Sequence, residues 1–267
     1  MMGNRDIGLR VASAVVLAPG AMLAAWAGGF WFLALMVAIC ALLAWEWAKM
    51  SAPRAPIRIA VTVGVVLACT ILTAHVDQMS AAFVFLVFGA AIAGVLARRL
   101  GQQGLDAAYG VLYLGWPAIL IIWLRGMDDG LGWTILLFAV AWSADVMAYV
   151  CGSLIGGPKL WPRFSPNKTW AGFIGGLCAG VAAGVVAAVL LNMASLPPAW
   201  GALVGLAAAL ATMAGDLWES ALKRRFGVKD AGDIIPGHGG LLDRVDGLMF
   251  AIVVAAAARL IVPAVTM

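Results

Sequence analysis

The sequence predicts an all-α polytopic integral membrane protein with about nine transmembrane helices. Of its 267 residues, 64% are hydrophobic and only 11% are charged, whereas charged residues make up about 25% of a soluble domain. Apolar runs long enough to cross a bilayer recur along the whole chain. None of these runs shows the period-two alternation of an outer-membrane barrel. The composition therefore excludes a water-soluble domain.

Nine apolar runs are the candidate transmembrane helices. The first run follows a basic start, as in a signal peptide, but we expect it to be retained as the first helix. The 32 glycines and many alanines suit helices that pack closely in lipid, because small residues let backbones approach. In chain order the runs are 10–27, 30–49, 57–75, 80–97, 106–124, 131–151, 171–192, 199–214 and 247–265.

The basic residues predict which side of the membrane each connection faces. With nine spans and a cytoplasmic N-terminus, fifteen of the 17 Lys and Arg residues fall in cytoplasmic segments. Arg125 falls in an outside loop, and Arg259 lies within the last run. Because cytoplasmic loops are enriched in Lys and Arg, we predict that the N-terminus is inside and the C-terminus outside (N-in/C-out). No basic stripe with interleaved aromatic residues indicates nucleic-acid binding.

The chemistry is expected in the second half of the chain. We predict about five N-terminal transmembrane helices in residues 1–130 and a catalytic transmembrane half in residues 131–267. Two polar segments of that half, 152–170 and 215–246, are predicted to be cytoplasmic. The four cysteines are dispersed along the chain, so they predict neither a disulfide framework nor a zinc site.

The stretch PGHGGLLDRVDG, residues 236–247, opens the last predicted helix. A helix that begins near Gly240 or Leu241 has Asp243 and Asp246 at i and i+3, on one face. The helix dipole favours an aspartate in a first turn, but two on one face repel each other unless a cation lies between them. Such hard oxygen ligands suit Mg²⁺. The N–H groups of the glycine-rich turn could also hold a phosphate.

The segment AGDLWESALKRRFGVKD follows the eighth run. Its polar residues recur at i, i+3, i+4 and i+7 and so form one stripe of a helix: Asp216, Glu219, Ser220 and Lys223. A stripe of mixed sign at the membrane edge faces either water or a bound ion, and Asp216 is the third candidate metal ligand. The basic residues are candidate phosphate contacts, although a positive-inside anchor explains the three consecutive ones about as well: Lys223, Arg224, Arg225 and Lys229.

Two more polar features stand beside apolar runs. SPNKTW predicts a helix start, with Ser165 as N-cap and Pro166 at the first helical position. Lys168 then lies in the first turn, where an anionic ligand would offset its conflict with the helix dipole. Asp145 lies inside the sixth run, about 9 Å from its cytoplasmic end at 1.5 Å per residue. A charge in the membrane indicates a functional residue, and a polar helix–helix contact is the alternative.

Together these motifs resemble the phosphatidate cytidylyltransferase family, the CDP-diacylglycerol synthases. The family signature is Ser-x-x-Lys-Arg, Lys-Asp, a Pro-Gly-His-Gly-Gly turn and Asp-Arg-x-Asp. It stands here as SALKRRFGVKDAGDIIPGHGGLLDRVD, residues 220–246. GDLWES, SPNKTWAG and the pattern around Asp145 also match in order. Ala171 departs from the family, which often has an acidic or amide residue after Lys-Thr-Trp.

The resemblance implies an enzyme that converts CTP and phosphatidate to CDP-diacylglycerol and pyrophosphate. It also implies Mg²⁺, with a second metal ion left open, a homodimer, and a bacterial inner (plasma) membrane location with the active site facing the cytoplasm. The metal candidates are Asp216, Asp243 and Asp246. The catalytic candidates add Lys168 and Lys223. The candidate substrate contacts are Ser165, Asn167, Asp145, Ser220, Arg224, Lys229, Asp230, His238, Gly239, Gly240 and Arg244.

Two other functions stay open on the sequence alone. A transporter could use Asp145 as an ion relay, but the charges cluster at one side of the membrane instead of along a path through it. A CDP-alcohol phosphotransferase would also use Mg²⁺ and aspartates on helices. Its Asp-Gly-x-x-Ala-Arg arrangement is not found in this chain.

Overall fold

The computed structural model describes residues 4–162, 165–193, 195–235 and 239–266. These residues form nine α-helices and one two-stranded sheet, which confirms the predicted all-α polytopic class. The helices are α1 (Asn4–Ala27), α2 (Gly29–Ser51), α3 (Pro56–His75), α4 (Met79–Arg99), α5 (Gly104–Gly126), α6 (Gly130–Leu154), α7 (Trp170–Leu190), α8 (Pro198–Arg225) and α9 (Leu242–Thr266). The strands are β1 (Lys159–Trp161) and β2 (Ser165–Thr169).

Eight helices in the described part of the chain, α2 to α9, are long and apolar enough to cross a membrane. Their most apolar windows have a mean hydropathy of 1.4 to 2.4. Within α1, the segment Val15–Ala27 is a shorter apolar helix. The helices therefore follow the nine predicted runs in order, whereas the N-in/C-out orientation stays a prediction.

The chain forms two compact units. The first comprises Met1–Gly126 with Phe226–Arg244, and the second comprises Met127–Arg225 with Val245–Met267. In the first unit, α2, α3, α4 and α5 pack against one another. The core side of α3 has an apolar residue at every fourth position, as expected of a helix with one buried face. These fully buried residues are Ile59, Val63, Leu67 and Ile71.

In the second unit, α7 packs against α6 and α8 through small residues. A Cβ atom added at Gly205 of α8 would overlap the carbonyl group of Gly180 on α7. A Cβ atom added at Gly201 would lie 2.7 Å from the Gly184 oxygen. Glycine is therefore required where these backbones meet, in line with the close helix packing that the composition predicts.

The predicted helix start at Ser165 is wrong. Residues Ser165–Thr169 form β2, which pairs antiparallel with β1, and α7 begins only at Trp170. Thr169 is the N-cap, with extended φ and ψ of −119° and 157°, and its side chain accepts a hydrogen bond from the Gly172 N–H. Pairing with a strand that precedes it by a few residues overrides the local capping preference of Ser165. Consequently, Lys168 lies in a strand and not in a first helical turn.

Two other predictions near the polar segments, the helical stripe from Asp216 to Lys223 and a last helix that begins near Gly240 or Leu241, are confirmed. Helix α8 continues through the polar stripe to Arg225, so Asp216 and Lys223 lie on one continuous helix. Helix α9 begins at Leu242, within two residues of the predicted start.

Candidate functional site

The site in the second unit is built where α8 crosses α9. A Cβ atom added at Gly215 would lie 2.5 Å from the Asp246 carbonyl oxygen, and one at Gly247 would lie 2.7 Å from Thr212. Gly247 is also close to Asp216, whose Oδ1 would lie 3.2 Å from such a Cβ. The two helices are thus in contact, with no room for a side chain at either glycine. Each helix has an aspartate beside this contact, Asp216 on α8 and Asp246 on α9.

Asp246 lies within an acidic cluster. Its carboxyl group is buried, with 8% of the residue exposed, and its Oδ1 accepts a hydrogen bond of 2.9 Å from the Gly247 N–H. The charges of Asp216, Glu219 and Asp145 all repel the Asp246 carboxylate. We call these four residues, contributed by α6, α8 and α9, the acidic cluster.

Two lysines are paired with the acidic cluster. The Lys168 Nζ atom on β2 lies 2.6 Å from Asp216 Oδ2, and the Lys223 Nζ atom lies 2.6 Å from Glu219 Oε2, one turn away on α8. Glu219 is almost fully buried, at 1% exposure. The structure thus brings Lys168, Asp216 and Lys223, three of the predicted site residues, to the acidic cluster, and their roles stay predictions.

The acidic cluster has the donor chemistry of a site for a hard divalent cation. Four carboxylates meet in it, and two of them, Asp216 and Glu219, each pair with a lysine. Carboxylate oxygens are the ligands that Mg²⁺ prefers. Among the described residues, however, no three His, Cys, Asp or Glu side chains surround a common metal position. Asp216 and Glu219 each direct an oxygen at a lysine.

Asp243 belongs to the first unit. There it binds the backbone of residues 226–241, which we call the signature loop. Its Oδ2 accepts hydrogen bonds from the N–H groups of Ala231 (3.1 Å) and Gly240 (2.9 Å). The Ile235 N–H donates to the Gly239 carbonyl oxygen at 2.9 Å. Asp216 and Asp246 lie together in the second unit. The convergence of Asp243 with these two aspartates stays a prediction.

Glu46 of α2 is the second carboxylate that binds this loop. It is fully buried; Oε1 accepts from the Leu241 N–H at 2.8 Å, and Oε2 accepts from the Leu242 N–H at 2.7 Å. The N–H groups of Gly240, Leu241 and Leu242 therefore all donate to carboxylates. The sequence predicted that backbone N–H groups of this turn would bind a phosphate, whereas in the structure these three bind carboxylates.

The remaining candidates lie on β2, on α8, in the signature loop and in the first turn of α9. Ser165 and Asn167 are on β2, and Ser220 and Arg224 are on α8. The others lie in the signature loop or the first turn of α9, and those with exposed side chains are Lys229, Asp230 and Arg244. Gly239 adopts a positive φ of 83°. His238 lies outside the described residues, so its role stays a prediction.

The sequence reasoning missed Glu46. The signal was present, because AWEWAKM places a carboxylate inside the second apolar run. The rule that an ionisable residue in a membrane span marks a functional position was applied to Asp145 and applies equally to Glu46. Its hydrogen-bond partners are 195 and 196 residues away in the chain, so no local pattern connects them.

Comparison with known proteins agrees with the motifs. The profile of the cytidylyltransferase family matches residues 8–262. A protein of Brucella abortus (strain 2308) named phosphatidate cytidylyltransferase is 42% identical over 246 residues, covering 91% of this chain and 89% of that protein. A protein of the same name from Staphylococcus aureus (strain COL) is 40% identical over 148 residues, covering 55% of this chain and 56% of that protein. The chain, an integral membrane protein by its helices, therefore belongs to the cytidylyltransferase family.

Proposed function

We propose that this protein is a phosphatidate cytidylyltransferase, which makes CDP-diacylglycerol and pyrophosphate from CTP and phosphatidate in phospholipid biosynthesis. The observation that carries the proposal is the lysine-paired acidic cluster in a membrane-spanning member of this family. A lipid substrate needs a site within reach of the bilayer. A nucleoside triphosphate needs cations to offset its charge, which the lysines and a bound metal ion would supply.

The reaction is a nucleotidyl transfer between two anions. An oxygen of the phosphatidate phosphate attacks the α-phosphorus of CTP in line, and a new phosphorus–oxygen bond forms. The bond from the α-phosphorus to the oxygen that bridges the β-phosphorus breaks, and pyrophosphate leaves with that electron pair. Because the second pKa of a phosphate monoester is about 6, the nucleophile is anionic near neutral pH and needs no general base. Catalysis therefore consists of positioning and charge stabilisation.

We propose Mg²⁺ as the cofactor, with a second metal ion left open. Asp216 and Asp246 would hold it, and Asp243 is the third candidate ligand. When bound, Mg²⁺ would offset the negative charge on the reacting phosphates. The four carboxylates of the acidic cluster, which are hard oxygen donors, support this assignment.

The basic residues would hold phosphate groups electrostatically. The Lys168 ammonium group pairs with Asp216, and an ammonium group has three donors. Lys168 can therefore bind an acid and a phosphate oxygen together, and Lys223, which pairs with Glu219, is the second candidate. The further candidate contacts are Arg224, Lys229, Arg244, Ser165, Asn167, Ser220, Asp145, Asp230, His238, Gly239 and Gly240.

We also propose a homodimer in a bacterial inner membrane, with the acidic cluster open to the cytoplasm. The charge distribution of the connections supports the orientation, and the bacterial sources of the relatives support the location.

The test is an assay of the purified protein in detergent micelles that contain phosphatidate and cytidine-labelled CTP. We expect labelled CDP-diacylglycerol and pyrophosphate in equal amounts with Mg²⁺, and neither with excess EDTA. Asp246→Asn removes one charge from the acidic cluster and should lower kcat at least about 100-fold. Asp77→Asn is the matched control: Asp77 is an exposed loop residue with φ of 59°, a conformation that Asn also tolerates.

Other results would redirect the assignment. Product formation from a CDP-activated lipid and a free alcohol, with none from CTP and phosphatidate, would identify a CDP-alcohol phosphotransferase. Solute flux into proteoliposomes without CTP would identify a transporter. Wild-type kcat in Asp246→Asn would remove Asp246 from the metal site.

A further inference from the structure

Glu46 lies inside a membrane-spanning helix. Each of its two carboxylate oxygens accepts a hydrogen bond from a different backbone N–H group. The Leu241 and Leu242 N–H groups stand at the N-terminus of α9, where the first N–H groups of a helix have no partner within the helix. A carboxylate at this position satisfies them with charge-assisted hydrogen bonds. It is also favoured by the positive end of the helix dipole. Glu46 thus fixes the residue at which α9 begins.

The signature loop is shaped around Glu46. A Cβ atom added at Gly232 would lie 2.5 Å from Glu46 Oε1, and one added at Gly240 would lie 3.0 Å from the same oxygen. Two glycines from separate parts of the loop therefore leave the space that this carboxylate fills.

Neighbouring residues of α2 bind the same loop. The ring of Trp47 packs edge-on against Phe226, with the ring centroids 5.6 Å apart. The Lys49 Nζ atom lies 3.5 Å from Asp233 Oδ1. The last turns of α2 thus hold the beginning, the middle and the end of the described loop, and the fully buried Glu46 holds the end that leads into α9.

We propose that Glu46 is a positioning residue for nucleotidyl transfer. It acts through the Leu241 and Leu242 amides on the next two residues, Asp243 and Arg244, which the proposed function assigns to metal and phosphate binding. The inference rests on that function. It adds a residue from the N-terminal helices to a site whose motifs all lie in the second half of the chain.

The test replaces Glu46 with Gln, which has the same size but presents one acceptor oxygen where Glu46 presents two. The matched control is Thr70→Val, a near-isosteric change at a fully buried position of α3 in the same unit. Four quantities are measured for each variant: kcat, KM for CTP, the unfolding midpoint in detergent, and hydrogen exchange of the amides in residues 239–242.

For Glu46→Gln we expect kcat to fall about 10–100-fold. This is the range found when a group that orients a metal-binding residue is removed. Amide exchange at Leu241 and Leu242 should accelerate, while the unfolding midpoint stays close to that of Thr70→Val. Faster exchange with unchanged kcat and KM would overturn the positioning role, and so would a lower unfolding midpoint with normal turnover per folded molecule.

The same experiment separates this inference from the proposed function. If the wild-type protein makes no CDP-diacylglycerol, the proposed function fails, and with it the catalytic part of the inference. The exchange measurement still decides whether Glu46 holds the loop, because it needs no substrate. Unchanged exchange at Leu241 and Leu242 in Glu46→Gln would overturn the inference even in an active enzyme.

Discussion

At the residue scale, Lys168 has an anionic partner, although the local structure from which an anion was inferred is wrong. The sequence placed it in a first helical turn and inferred a nearby anion, whereas the residue lies in β2 and its anion is Asp216, 2.6 Å away. The anion was inferred from the dipole of a helix start that the structure does not contain, so the agreement does not come from that argument. The partner itself could not be predicted, because it lies 48 residues further along the chain.

Replacing Lys168 with Met should separate activity from stability. The two side chains are 32% and 24% exposed, so solvent screens the pair, and it contributes about 1 kcal/mol or less to stability. Losing an electrostatic contact to the reacting phosphates should lower kcat about 100-fold.

Kinetics with CTP and the unfolding midpoint in detergent check this prediction, and the control is Lys159→Met, an exposed lysine on the paired strand. A fall in stability by several kcal/mol without loss of kcat would make Lys168 a structural residue only.

The two basic residues outside the predicted cytoplasmic segments both bind backbone carbonyls. Arg125 Nε donates to the Ala25 oxygen at 2.6 Å, at the C-terminal end of α1. Arg259 Nη2 donates to the Asp128 oxygen at 3.3 Å. Cations are favourable at helix C-termini, where carbonyl groups lack partners. Arg125 therefore has a structural reason for its position that the charge-bias rule does not consider.

At the element scale, local patterns predicted the helices well and their polar ends less well. The apolar period and the glycine content depend only on the local sequence, so the spans appear close to their predicted places. The start of α7 depends on the pairing of β2 with β1, a tertiary contact. The capping signal was ambiguous as well, since both Ser165 and Thr169 are residue types that cap helices.

Alanine substitutions should distinguish the two capping residues. Thr169→Ala removes the acceptor for the Gly172 N–H, 3.2 Å away, and should destabilise the protein by about 1 kcal/mol. Ser165→Ala, the matched control, should change stability by less than about 0.5 kcal/mol, because Ser165 is no cap in the structure.

Reversible unfolding in mixed detergent micelles measures both variants. The reverse order of stability losses would support a helix that begins at Ser165.

At the scale of the whole molecule, the signature motif is divided between the two units. Phe226–Arg244 belongs to the first unit, with the N-terminal helices, and Val245–Met267 belongs to the second. The sequence indicated a role for the N-terminal helices only through their hydropathy. The match of the family profile to residues 8–262 and the contacts of Glu46, Trp47 and Lys49 with the signature loop give those helices a specific part in the protein.

The predicted orientation can be tested with two glutamines that flank α4. Gln78 lies before the helix and Gln103 lies after it, and both are exposed. If the N-terminus is cytoplasmic, the connection with Gln78 is outside and the basic connection with Gln103 is inside. Each is replaced by Cys in a protein without its four native cysteines. In intact cells, a membrane-impermeant maleimide should label Gln78→Cys at once and Gln103→Cys only after permeabilisation.

The opposite labelling pattern would reverse the topology and would place the signature loop, and with it Asp243, on the outer side. CTP is made and used in the cytoplasm, so that result would contradict the proposed function as well as the orientation. Turnover of each labelled variant with CTP and phosphatidate is the control for native folding. Because both positions lie at the ends of one helix, the comparison depends on a single membrane crossing and not on the total number of spans.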